Sequence, residues 1–70
     1  MVREALDRAT ARCQRREAAA LRRLTEAMRR EASELLDAFP ASNVARGLDA
    51  YAALLDVKAE ALEADAEASV

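Results

Sequence analysis

The segment Phe39-Pro40-Ala41-Ser42-Asn43 interrupts an otherwise helix-forming sequence and decides the fold. Proline disfavours helical geometry at the residue before it, so the first helix should end near Ala38 or Phe39. Ser42 or Asn43 can accept a backbone N–H and cap the next helix. Two helices joined by so short a connection pack antiparallel. The segment therefore predicts an all-α antiparallel helical hairpin.

The composition agrees with this prediction. The 70 residues are rich in Ala, Leu, Arg and Glu, which are strong helix formers, and include one Gly and one Pro. Only Phe39 and Tyr51 are aromatic, which argues against a β-sheet core. We predict one domain, with helix 1 at about residues 3–38, a turn at about 39–43 and helix 2 at about 43–66.

The two predicted helices differ in length. At 1.5 Å per residue they would span about 54 Å and about 36 Å. Residues 1–16 therefore continue helix 1 beyond its neighbour, fold back as a short additional N-terminal helix, or are disordered. We expect a weak point or a break at residues 14–17, because Glu17 stands where an apolar residue should be.

Apolar residues recur at steps of three and four in both helices, which predicts the core of the hairpin. In helix 1 these residues are Leu21, Leu24, Met28, Ala32, Leu35 and Phe39. In helix 2 they are Val44, Leu48, Tyr51, Leu55, Ala59, Leu62 and Ala66. Antiparallel packing would bring Leu35 near Leu48 and Leu21 near Leu62.

Helix 2 carries a second apolar stripe, formed by Ala50, Leu54, Val57 and Ala61. It lies roughly 100° around the helix from the first stripe, so a single neighbouring helix cannot cover both. One explanation is that residues 2–13 fold back over it. The other, which we favour, is a surface for a partner protein, as in helix-in-groove recognition. A chain this short is also difficult to stabilise without association.

Several classes of function are disfavoured by the residues present. There is no histidine and only one cysteine, Cys13, so neither a metal site nor an internal disulfide is expected. No nucleophile with a base and no phosphate-binding loop is recognisable, so we expect neither an enzyme nor a cofactor. The N-terminus is charged and no apolar run of about 18 residues occurs, which predicts a cytoplasmic protein.

Charge is distributed unevenly along the chain. Residues 1–30 contain nine Arg and four acidic residues, whereas residues 31–70 contain nine acidic residues and only Arg46 and Lys58 as cations. The two halves either attract each other within the hairpin or each face a partner. Helix 2 places many carboxylates together, which we interpret as a solvated face or one opposed by the arginines of helix 1. These residues are Asp49, Asp56, Glu60, Glu63, Asp65 and Glu67.

The chain resembles a known family in its length, its layout and a few short motifs. The motifs are Ala18-Ala19-Ala20-Leu21-Arg22-Arg23-Leu24, a proline-containing turn, Tyr51-x-x-Leu54 and Ala61-Leu62-Glu63. These features resemble the small needle co-chaperones of bacterial type III secretion, a virulence apparatus (the YscE/PscE type).

The resemblance implies a cytoplasmic helical hairpin that binds a larger tetratricopeptide-like chaperone. The pair would hold the needle subunit monomeric before export. The resemblance would assign partner contact to Leu54, Val57, Ala61 and Leu62 of helix 2, together with Leu21, Leu24 and Met28 of helix 1.

Two other functions stay open. The same stripes could be self-complementary in a homodimer that forms a four-helix bundle with a structural or regulatory role. A hairpin that binds nucleic acid is the second alternative, because Arg15, Arg22 and Arg29 recur every seven residues and could track phosphates. Against it, the chain is net acidic and no aromatic residue interleaves with the arginines for base stacking.

Overall fold

A computed structural model describes residues 2–68 and shows two antiparallel helices joined by a short turn. Helix α1 runs over Val2–Ala38 and helix α2 over Asn43–Ala68. The predicted all-α hairpin is confirmed. The predicted helix bounds, about 3–38 and 43–66, lie close to the observed ones.

Backbone hydrogen bonds explain how the chain reverses. The Phe39 amide donates to the Leu35 carbonyl at 2.6 Å and completes the last turn of α1. The Ser42 amide donates to the Phe39 carbonyl at 3.0 Å and closes the connection. The Ser42 hydroxyl accepts from the Ala45 amide at 3.2 Å. Ser42, one of the two residues predicted to cap α2, is therefore its N-cap.

Helix α1 is continuous, so the break expected at residues 14–17 was wrong. Gln, Arg and Glu are good helix formers, and polar residues placed on the surface do not interrupt a helix. The longest dimension of the molecule is 56 Å, as expected for a straight helix of 37 residues at about 1.5 Å per residue. The N-terminal turns of α1 therefore extend beyond α2 and do not fold back, and Val2 and Leu6 are exposed.

The helices meet through small residues that recur every seven positions. We call this set the alanine seam, and all of its members are buried. They are Ala11, Ala18, Thr25 and Ala32 in α1 and Ala45, Ala52, Ala59 and Ala66 in α2. A repeat of seven residues keeps one line of side chains facing a neighbouring helix, as in a coiled coil. Because the spacing of packed helices depends on the side chains between them, small residues permit a close approach.

Thr25 establishes how the two lines of the seam fit together. Its hydroxyl oxygen lies 3.0 Å from the Asp56 carboxylate. Asp56 follows Ala52 by four residues and precedes Ala59 by three. Thr25 is therefore at a height between Ala52 and Ala59. The small side chains of the two helices alternate along the axis, so those in the middle of the seam pack between two small residues opposite.

The larger apolar residues lie beside the seam. Leu36, which is half-buried, follows Ala32 by four positions. Six others follow a seam residue by three positions, and each is half-buried. They are Leu21, Met28, Leu35, Leu48, Leu55 and Leu62. The largest side chain that is fully buried among the described residues is that of Thr25. The interior of the hairpin is thus made of small residues, with the leucines along its edge.

Three residues predicted for the core are exposed: Leu24 (49%), Phe39 (64%) and Tyr51 (56%). Leu24 and Tyr51 each precede a seam residue by one position, which turns them about 100° away from the contact between the helices. Phe39 follows the last residue of α1 and lies in the turn. Val44, a fourth residue of the predicted core stripes, lies in the first turn of α2 and is exposed as well.

The alanine seam leads to a stability prediction. We expect Ala52→Leu to lower the free energy of unfolding by about 1–3 kcal/mol, because added methylenes force close-packed helices apart. The matched control is Ala53→Leu, whose site is exposed one residue further along and where a change within about 0.5 kcal/mol is expected. Urea unfolding followed by circular dichroism measures both. Equal stabilities would contradict the close contact at Ala52.

Candidate protein-binding surfaces

Opposite charges face each other along one side of the seam. Arg22 and Arg29 follow seam residues of α1 by four positions, and Asp56 and Glu63 follow seam residues of α2 by four. In an antiparallel pair, equivalent positions of the two helices lie on the same side of the contact. We call this side the ion-pair face.

The contacts on the ion-pair face join α1 to α2. Arg22 donates to Glu63 through two nitrogens, with Nη2–Oε1 at 2.6 Å and Nε–Oε2 at 3.2 Å. Arg29 Nη2 donates to Asp56 Oδ2 at 2.6 Å. The Thr25 hydroxyl lies 3.0 Å from both Asp56 Oδ1 and the Arg22 carbonyl, and it can donate its single hydrogen to one of them at a time. A two-point arginine–carboxylate contact fixes relative orientation as well as distance.

These contacts shift the ionisation of their members. The hydrogen bond from Arg29, helped by that from Thr25 and by the charges of Arg29 and Arg22, lowers the pKa of Asp56. The hydrogen bond from Arg22 lowers the pKa of Glu63, and the same bond raises the pKa of Arg22. All three shifts favour the charged forms, so the pairs stabilise the hairpin at neutral pH.

The ion pairs bear on two sequence-based interpretations. The arginines of the basic half do oppose carboxylates of the acidic half within the hairpin, as one of the two alternatives predicted. Of the three arginines considered for phosphate tracking, Arg22 and Arg29 are engaged with carboxylates. Arg15 lines an open groove on this face with Arg22 and Glu63. A nucleic acid would have to compete with these internal contacts.

The opposite side of the hairpin carries most of the half-buried apolar residues, together with the exposed charges of Glu17, Glu31, Lys58 and Asp65. A residue three positions after a seam residue is turned about 60° to one side of the contact, and a residue four positions after it about 40° to the other. Met28 and all the half-buried leucines except Leu36 therefore lie on the side away from the ion pairs. Exposed Leu24, Val44 and Tyr51 border them. We call the whole set the leucine face.

A third surface lies on α2, directly away from α1. It consists of the four residues predicted for partner contact: Ala50, Leu54, Val57 and Ala61. All four are exposed, Leu54 at 67% and Val57 at 63%. No part of the described chain folds over them, so the interpretation of a covering N-terminal segment was wrong. We call these four residues the outer face.

Sequence reasoning found the outer face but not the division of the hairpin into an ion-pair face and a leucine face. The signal was present as a repeat of seven residues: small residues, leucines and charges each recur at that interval in both helices. The stripes of large apolar residues at steps of three and four do not include the small seam residues Ala11, Ala18, Ala45 and Ala52.

The described residues hold no group of three or more His, Cys, Asp or Glu side chains placed to bind a metal ion. Neither described helix is long and apolar enough to cross a membrane. Comparisons with protein-family models, with curated proteins and with solved structures give no match to this chain.

The ion-pair face predicts a loss of stability in acid. The pKa values of Asp56 and Glu63 are lower in the folded chain than in the unfolded chain. The ionic contribution of these carboxylates to the stability of the hairpin is therefore complete above their unfolded pKa values of about 4. It is lost as the pH falls below those values. The double variant Asp56→Asn, Glu63→Gln should be less stable than the wild-type chain at pH 7, and the difference should shrink towards pH 3. Thermal unfolding across this range measures it. A difference independent of pH would refute the assigned ionic contribution.

Proposed function

We propose that this chain is a non-catalytic binding subunit that packs the outer face of α2 onto a larger helical protein. The exposure of Leu54 and Val57 carries the proposal. Both are large apolar side chains on the middle of a regular helix, where function is the usual reason for a contiguous exposed apolar patch. Their spacing of three residues suits a helix that docks into an apolar groove.

The make-up of α2 supports the same proposal. Apart from its charged residues, of which only Lys58 and Asp65 lie towards the leucine face, the helix presents mostly apolar residues to α1, to the leucine face and to the outer face. A helix that is apolar over most of its circumference is normally surrounded by protein. Here α1 covers only the side that bears the alanine seam.

The resemblance to needle co-chaperones suggests which partner to test. Under this proposal the chain binds a tetratricopeptide-like chaperone in the bacterial cytoplasm, and the pair keeps the needle subunit unassembled before export. The concave surface of a helical repeat protein is suited to receive a helix. By packing α2 against that surface, the hairpin would bury apolar area that its interior of small residues does not provide.

The substitution Leu54→Glu tests the proposal on the outer face. Burying a leucine contributes roughly 1.5–3 kcal/mol, so its loss should weaken binding by about tenfold or more. Because Leu54 is exposed in the hairpin, helicity should be retained. Titration calorimetry against the needle chaperone of the same bacterium would measure the affinity.

The matched control is Ala53→Glu, which adds the same side chain at an exposed site next to Leu54 but towards the ion-pair face. This variant should bind as the wild-type chain does. If the wild-type chain does not bind the chaperone, the proposed partner is wrong. If both variants bind equally well, the outer face is not the contact.

A further inference from the structure

The leucine face is a second unpartnered surface, separate from the outer face. It combines side chains of both helices, whereas the outer face belongs to α2 alone. Its leucines and Met28 are half-buried, and Leu24, Val44 and Tyr51 stand exposed beside them. On this broad side the apolar residues form a strip that is bordered by the exposed charged residues Glu17, Glu31, Lys58 and Asp65, while the other broad side carries the ion pairs.

The size of the leucine face matches what a stable pair of proteins buries. The 26 residues of α2 measure about 39 Å at 1.5 Å per residue, and two helices side by side are about 20 Å wide. The projected area of this side of the hairpin is therefore about 800 Å², comparable in size to the surface that each partner buries in a standard stable interface.

The repeat of the leucine face specifies what fits it. Side chains that recur every seven residues on two antiparallel helices pack into a surface with the same repeat, as knobs into holes. Within the core of a four-helix bundle, large and small residues alternate so that facing layers interdigitate. In each copy the small seam residues are buried between its own two helices, and the leucines recur at the same interval of seven on the side that a second copy would meet. A second copy therefore has the complementary surface.

Charge also favours a second copy. Arg22 and Arg29 and the carboxylates that they bind lie on the opposite broad side. Two leucine faces can thus approach each other without burying an arginine. The charges that lie on this side, Glu17, Glu31, Lys58 and Asp65, are of both signs. The formal net charge of −2 produces little repulsion between copies.

We propose that two copies of this chain pack leucine face to leucine face and form an antiparallel four-helix bundle about a two-fold axis. In this dimer, Leu24, Tyr51 and the leucines of each copy become core residues. The outer face stays on the surface of the bundle, so a larger protein can still bind it. The dimer does not depend on the function proposed above.

Sedimentation equilibrium of the purified full chain tests the dimer. We expect a mass of twice 7.6 kDa for the wild-type chain. Leu24→Glu should raise the dissociation constant of the dimer at least tenfold, since a two-fold axis introduces the charge twice. Leu54→Glu is the matched control, because it places the same charge on the outer face, and it should remain dimeric.

The melting temperature of the wild-type chain provides a test that needs no variant. For a dimer that unfolds to separate chains, it rises with protein concentration. A wild-type mass of 7.6 kDa with a melting temperature independent of concentration would overturn the dimer. Dissociation by Leu54→Glu in place of Leu24→Glu would overturn the assignment to the leucine face. The first failure would leave binding of a larger protein through the outer face intact, whereas the second would place the outer face in the dimer contact.

Discussion

The structure depends on the close contact of two helices through small side chains repeated every seven residues. Because Ala18, Thr25, Ala52 and Ala59 add little bulk between the backbones, the helices can lie close together along the paired length of α2. That contact places the charges of the two helices within hydrogen-bonding distance on one side and gathers the leucines on the other. The three faces of the hairpin follow from it.

The same contact explains why the hairpin is incomplete as a globular unit. Alanines bury little apolar area, and the free energy gained scales with the area removed from water. The leucines that normally supply most of a core are here only half-buried. Ion pairs such as Arg22–Glu63, which are partly exposed, specify register more than they add stability. Association would supply the missing burial, and the exposed apolar faces show where it can occur.

The fold could be predicted from the sequence because the strongest local signals agree. Pro40 ends one helix, Ser42 caps the next, and both flanking segments consist of helix formers. The position of the seam could not be predicted by following large apolar residues. Leu24 and Tyr51 belong to stripes with steps of three and four, yet the helices rotate so that Thr25 and Ala52 face each other. A search for small residues at intervals of seven would have identified the contact.

The candidate surfaces were predictable to different degrees. The outer face could be predicted from the sequence, because a single neighbouring helix cannot cover both the stripe that contains Leu54 and Val57 and the other apolar stripe of α2. The ion pairs could not be predicted, because they depend on the register between the helices. The contact between Thr25 and Asp56 establishes that register in the structure. The occupant of either apolar face is a second molecule. The surface of that molecule cannot be predicted from this sequence unless it is another copy of the same chain.

Nuclear Overhauser effects between methyl groups measure the central contact most directly. In the chain labelled at alanine and threonine methyls, we expect cross-peaks from Thr25 to both Ala52 and Ala59, which lie on either side of it. Samples that mix labelled and unlabelled chains would assign these contacts to one molecule. Absence of both cross-peaks in a helical, folded sample would show that the helices do not meet through the alanine seam.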